Sequence, residues 1–331
     1  YKQDESGQKA KARAVILGYE DPDYHNRPTF APTMTRNSRQ LLLQYCAHRR
    51  FTCWKGDVSG AFLQGREYSR TLHCIPVPEL CEGLGVPPGT ACRLRKACYG
   101  LVEAPIEWFE TINDFLHELG YRQAHSDPCT WIYRDGDEVL SIISGHVDDF
   151  MFIGREGCPI WSRLQKAIQD KFKWQEWEKD DFTQCGVKVT RRSDGSFELS
   201  QEQYLEGVSE IQLPRDRRRE KHEPTNDWEK SALRALLGAL SWHVGQVGHT
   251  YSAHVSLFLS EVPHSTVETI DQVNKLLYKI KQDAKDPLLI HAFLPTDHLS
   301  LVAWVDASSQ NRHDGYSTKG TLVGMSTTGL G

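Results

Sequence analysis

Two adjacent carboxylates, Asp148 and Asp149, interrupt an apolar run that extends from Val139 to Ile153 and carries β-favouring residues on both sides. That pattern predicts two short strands with the carboxylates in the tight turn of a hairpin. Like charges this close raise each other's pKa unless something positive neutralises them. A divalent cation held through carboxylate oxygens is the usual answer, and a solvated turn is the plainer alternative, because Asp is a common turn residue. A further carboxylate, Asp57, ends a run from Phe51 that reads as a strand, with small residues following it. If that strand lies beside the hairpin, three carboxylates converge at one sheet edge. Such a group suits two divalent ions held about 4 Å apart, one activating an attacking hydroxyl and the other stabilising the leaving oxygen of an in-line phosphoryl displacement. Spacing along the chain does not by itself bring the three together.

The elements expected to hold these groups alternate between strand and helix patterns. Leu41, Leu42, Tyr45 and Cys46 recur at helical spacing behind Asn37 or Ser38 as a cap. After Pro105, the residues Trp108, Phe109, Ile112, Phe115, Leu116 and Leu119 fall on one helical face, with Gly120 placed to end it. Trp161, Leu164, Ile168 and Phe172 mark another amphipathic helix, and Asp194-Gly195 is a hairpin turn. Ser200 with Gln203 reads as a capping box for a helix running through Tyr204, Val208 and Ile211. Three more helical patterns lie around residues 229–244, 250–261 and 266–282. The aromatic stripes are read as core, and the chain has no internal repeat.

At 331 residues the chain is long enough for two domains or one multi-lobed body. Hydrophobic residues at 39% and charged residues at 25% match an ordinary globular protein. No apolar run reaches the roughly 18 residues of a membrane helix, and the N-terminus has no basic stretch followed by an apolar core. The expectation is therefore no membrane partner. The nine cysteines are scattered without a C-x-x-C pair, so neither a zinc knuckle nor a redox pair is suggested, and an odd set of thiols suits a reducing compartment. A net charge of −5 leaves any binding of a polyanion to local basic patches. Lys9-Ala-Lys11-Ala-Arg13 is one, and Arg215 to Lys221 is the other, the latter reading equally as a solvated linker and a domain boundary. A start at Tyr1 and a stop at Gly331 in mid-pattern suggest a piece of a longer polypeptide.

Taken in order, several blocks resemble the reverse transcriptase region of Ty1/copia-type LTR-retrotransposon pol polyproteins, and the resemblance covers nearly the whole chain. Lys11-Ala-Arg13-Ala-Val-Ile-Leu-Gly18 is similar to that family's K-A-R-L-V-A-x-G block, and Thr29-Phe-Ala-Pro32 to its T-F-A-P. Asp57-Val-Ser-Gly-Ala-Phe62-Leu resembles D-V-K-T-A-F-L. The stretch from Cys92 to Pro105 resembles C-R-L-x-K-A-L-Y-G-L-K-Q-A-P, while Ser126-Asp-Pro-Cys129 and His146-Val-Asp-Asp149 correspond to S-D-P-C and Y-V-D-D. Gly186-Val-Lys-Val189, Leu199 to Tyr204 and Leu236 to Leu240 match later family segments. Ala303-Trp-Val-Asp306-Ala-Ser308 and Tyr316 to Gly320 are similar to the segments that begin the family's RNase H domain.

The resemblance implies an α+β, right-hand polymerase with fingers, palm and thumb, followed by the truncated start of an RNase H-like domain. Fingers and palm would occupy residues 1–213, a helical thumb or connection 214–295, and the RNase H start 296–331. Asp57, Asp148 and Asp149 match the catalytic, metal-binding carboxylates, which would hold two Mg²⁺ or Mn²⁺ ions. Lys11 and Arg13 fall where the fingers meet the incoming triphosphate, as charge-assisted bonds to phosphate require. Phe62 matches the aromatic lying under the deoxyribose, where a flat ring leaves a 2′-hydroxyl crowded and unpaired. Asp306 matches the first RNase H carboxylate; the other ligands would lie beyond Gly331, so no RNase H activity is expected of this chain alone. The implied activity is RNA-directed DNA polymerisation, adding deoxynucleotides to a primer 3′ end. The implied partners are an RNA or DNA template with its primer, dNTPs, and the other pol parts (integrase, protease and the rest of RNase H). The implied location is intracellular, in a cytoplasmic particle or the nucleus.

Three positions depart from the family pattern. Glu103 stands in place of the Gln that helps position nucleotide and template, Ile106 replaces an Arg, and His146 replaces the Tyr before V-D-D. His146 keeps a flat ring able to pack against a primer end and adds a titratable group. A carboxylate at Glu103 should repel a triphosphate unless it is protonated or paired, so restoring Gln is expected to raise nucleotide affinity. The rival readings are a catalytically decayed copy that only binds nucleic acid and a metal-dependent phosphodiesterase using the same carboxylates.

Overall fold

The computed structural model describes residues 2–4, 7–9, 13–68, 70–310, 312 and 315–327. Its chain is mixed α/β and divides into two compact units, the first made of residues 1–38 and 54–177, the second of 39–53 and 178–331. Among the described residues no helix is long and apolar enough to cross a membrane.

In the first unit, strands β1 (Lys2–Asp4) and β2 (Gly7–Lys9) pair with each other. Helix α1 (Arg36–Arg49) and strand β3 (Thr52–Asp57) are shared between the units. There follow α2 (Ala61–Gln64), β4 (His73–Cys74), α3 (Pro78–Leu84), β5 (Cys92–Arg93) and α4 (Ala104–Glu118). Strands β6 (Arg122–Ala124), β7 (Asp127–Asp135), β8 (Glu138–His146) and β9 (Asp149–Gly154) then lead to α5 (Pro159–Lys171). The main strands lie in the order β3-β9-β8-β7-β6.

The helices follow from their apolar spacing. In α4 the buried positions Ala104, Trp108, Ile112 and Leu116 repeat every four residues, and Gly120 leaves at φ +98°, a left-handed exit open to Gly. In α5 the buried positions are Trp161, Leu164 and Ile168. These faces pack with Trp131, Ile143, Phe150, Phe152 and Phe172 into one core. Leu140 to Gly145 and Phe150 to Gly154 are continuously buried, Ser141 and Ser144 included, so the central hairpin lacks the buried–exposed alternation of a one-faced sheet.

The second unit adds β10 (Glu178–Lys179), β11 (Asp181–Gln184), β12 (Val187–Arg191) and β13 (Phe197–Ser200), then α6 (Glu202–Glu206), α7 (Arg215–Arg219), α8 (Asp227–Gln246), α9 (Ser252–Glu261) and α10 (Val267–Asp283). Strands β14 (Leu288–Ile290), β15 (Ser300–Ser308) and β16 (Thr318–Ser326) follow. One sheet runs β11-β12-β13-β14, and among the described residues β15 pairs only with β16. Leu233, Leu237, Leu240, Val255, Ile270, Val273 and Leu277 form the helical core.

Three local readings are corrected. Helix α1 is capped by Thr35, whose Oγ1 accepts the Ser38 N–H at 3.1 Å, so Asn37 and Ser38 lie inside the helix. Helix α6 stops at Gly207, and no Ser200–Gln203 capping box forms, because Ser200 Oγ accepts the amide of Glu202 instead. Ile211 lies beyond that helix, its N–H and C=O both bonded to the side-chain amide of Asn274 at 2.9 Å. The basic run is partly structural. Arg217 makes a two-pronged contact to Glu229, at 2.8 and 2.9 Å, and Glu229 completes the capping box of α8 with Asn226. The guanidinium, with burial opposing it, holds the Glu229 carboxyl below its ordinary range.

His243 in α8 is 3% exposed and faces Gln201 Oε1 at 3.2 Å. Burial, with His249 nearby, pushes its pKa from 6.5 down to about 4. The unfolded chain therefore takes up this proton first, so the contribution of neutral His243 is complete above pH 6.5 and is lost as pH falls toward 4. Moving from about pH 7 to about pH 5 should cost the wild type about 2 kcal/mol through this group. His243→Gln, compared by urea unfolding at both pH values, should lose less than the wild type by about that amount, and equal losses would remove His243 from the account.

Candidate active site

The hairpin joining β8 to β9 has a two-residue turn, Val147-Asp148, with His146 paired across to Asp149. Val147 sits at φ +61°, a left-handed conformation that a β-branched side chain resists. A positive φ at the first central position alone is the sign pattern of a type II′ turn, which ordinarily takes Gly there. Strain of this kind costs on the order of 1–3 kcal/mol and persists only where the surroundings over-determine it.

Three hydrogen bonds supply that determination. The Val147 carbonyl accepts the Trp108 indole N–H at 2.6 Å. The Asp148 carbonyl accepts the Val58 N–H at 2.8 Å, and the Gly145 carbonyl accepts the Met34 N–H at 3.0 Å. Trp108 is itself locked in the core, edge-on to Phe172 at 5.2 Å. An apolar pocket beneath the turn is lined by Ala31 and Pro32, by Pro105 and Trp108, and by Gly145 and Val147. Residues from distant sequence blocks thus meet at Val147 of the turn.

The Val58 bond sets the end of β3 against the start of β9, so the segments bearing Asp57 and Asp148 are neighbours. Asp57 is held at both ends of its residue, its carbonyl accepting the Gln175 N–H at 2.8 Å and its Oδ1 accepting the Gln175 Nε2–H at 2.6 Å. Asp57, Asp148 and Asp149 are all half-buried. Among the described residues no three His, Cys, Asp or Glu side chains are gathered into a metal-holding group. The backbones of these segments are brought together, whereas the carboxylates are not closed into a cage. Their chemistry fits a hard cation, since all three offer oxygen donors of the kind Mg²⁺ and Mn²⁺ take.

Phe62, Tyr99 and Arg13 form a cluster of three side chains. Phe62, on α2, meets Tyr99 with ring centroids 5.0 Å apart, and the Arg13 guanidinium covers the other ring at 4.5 Å from its centroid. The N-terminal segment reaches Tyr99 through the Ile16 N–H, which donates to the Tyr99 carbonyl at 2.8 Å. Gly100 makes the approach possible. It sits at φ +95°, and a Cβ there would stand 1.9 Å from the Ile16 carbonyl oxygen. Lys11, the other basic residue of that block, lies outside the described residues.

Glu103 occupies the N-cap position of α4 and is 4% exposed. Its carboxylate accepts the Tyr68 hydroxyl and the Arg70 Nη1–H, the latter at 3.3 Å, while Arg70 Nη2 reaches Asp21 at 2.5 Å. Burial, followed by the Glu103 contact, pushes the Tyr68 hydroxyl well above its ordinary pKa, which keeps it a donor. Burial is the largest influence on Arg70 and Asp21 and opposes their charged forms; the Asp23 amide together with Arg70 nevertheless lowers the Asp21 pKa, and Asp21, Tyr68 and Glu103 together raise that of Arg70. The condition stated for Glu103, that it be paired, is met.

Asp127 stands in the Ser126-Asp-Pro-Cys129 block, and spacing alone gives it no role. It is 1% exposed, and its carboxylate accepts the amides of Thr35 and Cys129 at 3.0 and 2.9 Å and the Ser38 hydroxyl, tying β7 to the start of α1. Trp108 is a core residue, as its helical spacing predicts, and its indole N–H adds the clamp on the turn. Gln175 and Arg70 carried no signal, because their partners lie far away in the chain. Asp306 lies in the second unit, exposed on β15 opposite Gly320. The two segments matched to the start of an RNase H domain therefore contribute to one hairpin.

Residues 1–213 match the family model described as reverse transcriptase (RNA-dependent DNA polymerase). The chain belongs to that family. Among similar proteins are the retrovirus-related Pol polyprotein from transposon TNT 1-94 of Nicotiana tabacum, 28% identical over 60% of this chain, and that from transposon RE1 of Arabidopsis thaliana, 27% identical over 62%. A third, from transposon RE2 of Arabidopsis thaliana, is 28% identical over 62% of the chain. The matches span 15%, 14% and 14% of those relatives. The resemblance read from the motif blocks within residues 1–213 is borne out.

Glu103→Gln should lower stability by about 1–3 kcal/mol, since it removes a charged acceptor from a buried donor pair. Chemical denaturation would measure this. An unchanged midpoint would show that the Tyr68–Arg70–Asp21 contacts hold without the carboxylate.

Proposed function

We propose that this chain is an RNA-directed DNA polymerase, adding deoxynucleotides to a primer 3′ end under the direction of an RNA or DNA template. The observation that carries the reading is the Val58–Asp148 bond, which sets Asp57 beside the Asp148-Asp149 turn in a chain of the reverse transcriptase family. Asp57, Asp148 and Asp149 would hold two Mg²⁺ or Mn²⁺ ions. When bound, these ions lower the pKa of the attacking hydroxyl and offset charge on the leaving oxygen.

The remaining roles belong to this chain's own side chains. Arg13, with Lys11, meets the triphosphate, and the Tyr99 ring under the Arg13 guanidinium limits where that charge can go. Phe62, braced by Tyr99, presents a flat apolar ring to the sugar and leaves a 2′-hydroxyl without a partner. His146, across from Asp149, packs toward the primer end. Glu103 supports the segment around Tyr68 and Arg70, so its charge is spent on them and not turned on the nucleotide.

The functional division that goes with this reading places fingers and palm in 1–213, a helical thumb or connection in 214–295, and the start of an RNase H-like domain, with Asp306, in 296–331. Integrase, protease and the rest of RNase H would come from other parts of a pol polyprotein, acting inside the cell in a particle or the nucleus.

Primer extension on poly(rA)·oligo(dT) with Mg²⁺ tests the reading. The wild type should extend the primer and Asp148→Asn should lose extension by at least about 10²-fold, the scale on which removing a transition-state-stabilising group acts. Binding of primer–template by both without extension would favour a copy that only binds nucleic acid, and primer shortening without added dNTP would favour a phosphodiesterase. In the same assay, Glu103→Gln should leave the nucleotide KM unchanged or raised. A lowered KM would show that the carboxylate does repel nucleotide.

A further inference from the structure

Cys74 ends β4 and Cys92 begins β5, and the antiparallel register places them directly opposite each other, next to the pair His73 and Arg93. The Leu94 N–H donates to the Leu72 carbonyl at 2.8 Å, which makes Leu72 and Leu94 a hydrogen-bonded pair. Alternation along an antiparallel ladder then makes Cys74 and Cys92 a hydrogen-bonded pair too, with Cα atoms about 5.5 Å apart. That separation lies within the range disulfides span. Facing residues project to the same side of a ribbon, and both cysteines are half-buried free thiols. Burial, and then the neighbouring Cys92, hold the Cys74 thiol above its ordinary pKa.

We propose that Cys74 and Cys92 are a redox-modification site, closing to a reversible disulfide by exchange with a low-molecular-weight disulfide such as oxidised glutathione. The Cys92 thiolate attacks one sulfur of that disulfide; its S–S bond breaks, one glutathione leaves as thiolate, and a mixed disulfide forms at Cys92. The Cys74 thiolate then attacks the Cys92 sulfur and expels the second glutathione thiolate. Two protein thiols are oxidised, one disulfide is reduced to two thiols, and the protons given up by the cysteines pass to the departing thiolates. Facing Cβ atoms at hydrogen-bonded positions are slightly wider apart than a relaxed disulfide prefers. The bridge is thus strained and easily reduced, a property of labile rather than structural disulfides.

The hairpin connects to the region beside the carboxylates from both ends. β4 follows Tyr68 and Arg70, and β5 leads through Arg95, whose carbonyl accepts the Tyr68 N–H at 2.8 Å, to Tyr99. A closed bridge would staple these two arms and shut the base of the segment 75–91. Selectivity is built in by burial, because Cys46 and Cys53, the other neighbouring pair, are both 0% exposed and sealed from a dissolved oxidant. Cys98 is the competing third thiol, close enough to Cys74 to feel its charge.

The test treats the full folded chain with oxidised glutathione and maps disulfides by mass spectrometry. The expected product is a Cys74–Cys92 linked peptide pair in the wild type, reversed by dithiothreitol and retained in Cys98→Ser. Cleavage of the oxidised chain within residues 75–91 should leave two fragments joined until reductant is added. Cys92→Ser should show glutathione adducts and no such link. Only glutathione adducts at Cys74 and Cys92 in the wild type, or a Cys74–Cys98 bridge in place of the expected one, would overturn the proposal.

Discussion

The arrangement of the candidate site depends on a strained turn held by hydrogen bonds to backbone carbonyls, two of them on the turn residues themselves. Val147 adopts a backbone conformation that its branched side chain disfavours, and the carbonyls of Val147 and Asp148 are taken by the Trp108 indole and the Val58 amide. The first bond ties the turn to the core helix α4 and the second ties it to the end of β3. Without them a Val at this position would relax out of the left-handed region, and the two Asp side chains would have no fixed bearing on Asp57. The wall of large aromatics behind the turn, Trp108, Phe150 and Phe172 among them, makes the restraint rigid.

Charge in this region is handled by pairing. Glu103 and Asp21 share Arg70, Glu103 also takes the Tyr68 hydroxyl, and Arg13 is spread over the Tyr99 ring. A carboxylate that looks out of place in the sequence thereby becomes a support for the segments on either side of it. Deletion of Arg70 would strand the Glu103 and Asp21 carboxylates in a low-dielectric setting, where an unpaired charge costs more than the pair contributes. The Arg217–Glu229 pair in the second unit follows the same logic, with an arginine from a basic run completing a helix cap.

Much of the fold is legible in the sequence. Helices α4, α5, α8, α9 and α10 announced themselves through apolar residues at three- and four-residue spacing, and the β8–β9 hairpin through its unbroken apolar run around two carboxylates. The short elements were harder. Helix α6 was expected to run to Ile211, but Asn274, distant in the chain, takes the backbone groups of Ile211. The α1 cap shifted to Thr35, where Asp127 of β7 secures the entry. In each case a long-range polar contact overrode a local preference, and local spacing holds no record of such contacts.

The sequence by itself determined which groups are available: three aspartates in family-like blocks, an aromatic five positions beyond the first, and a departure at Glu103. It also determined the family, since the order of the blocks is a property of the chain. Tertiary structure decided the rest. It set Asp57 beside Asp148 through one backbone bond, placed Gln175 on Asp57, supplied Tyr68 and Arg70 to Glu103, and put Cys74 opposite Cys92 in a chain whose cysteine spacing shows no pair. The physical reason is common to all of these. Residue type and local periodicity are encoded in short stretches, whereas partners across a sheet or between a loop and a helix are fixed only when burial of the whole core selects one register.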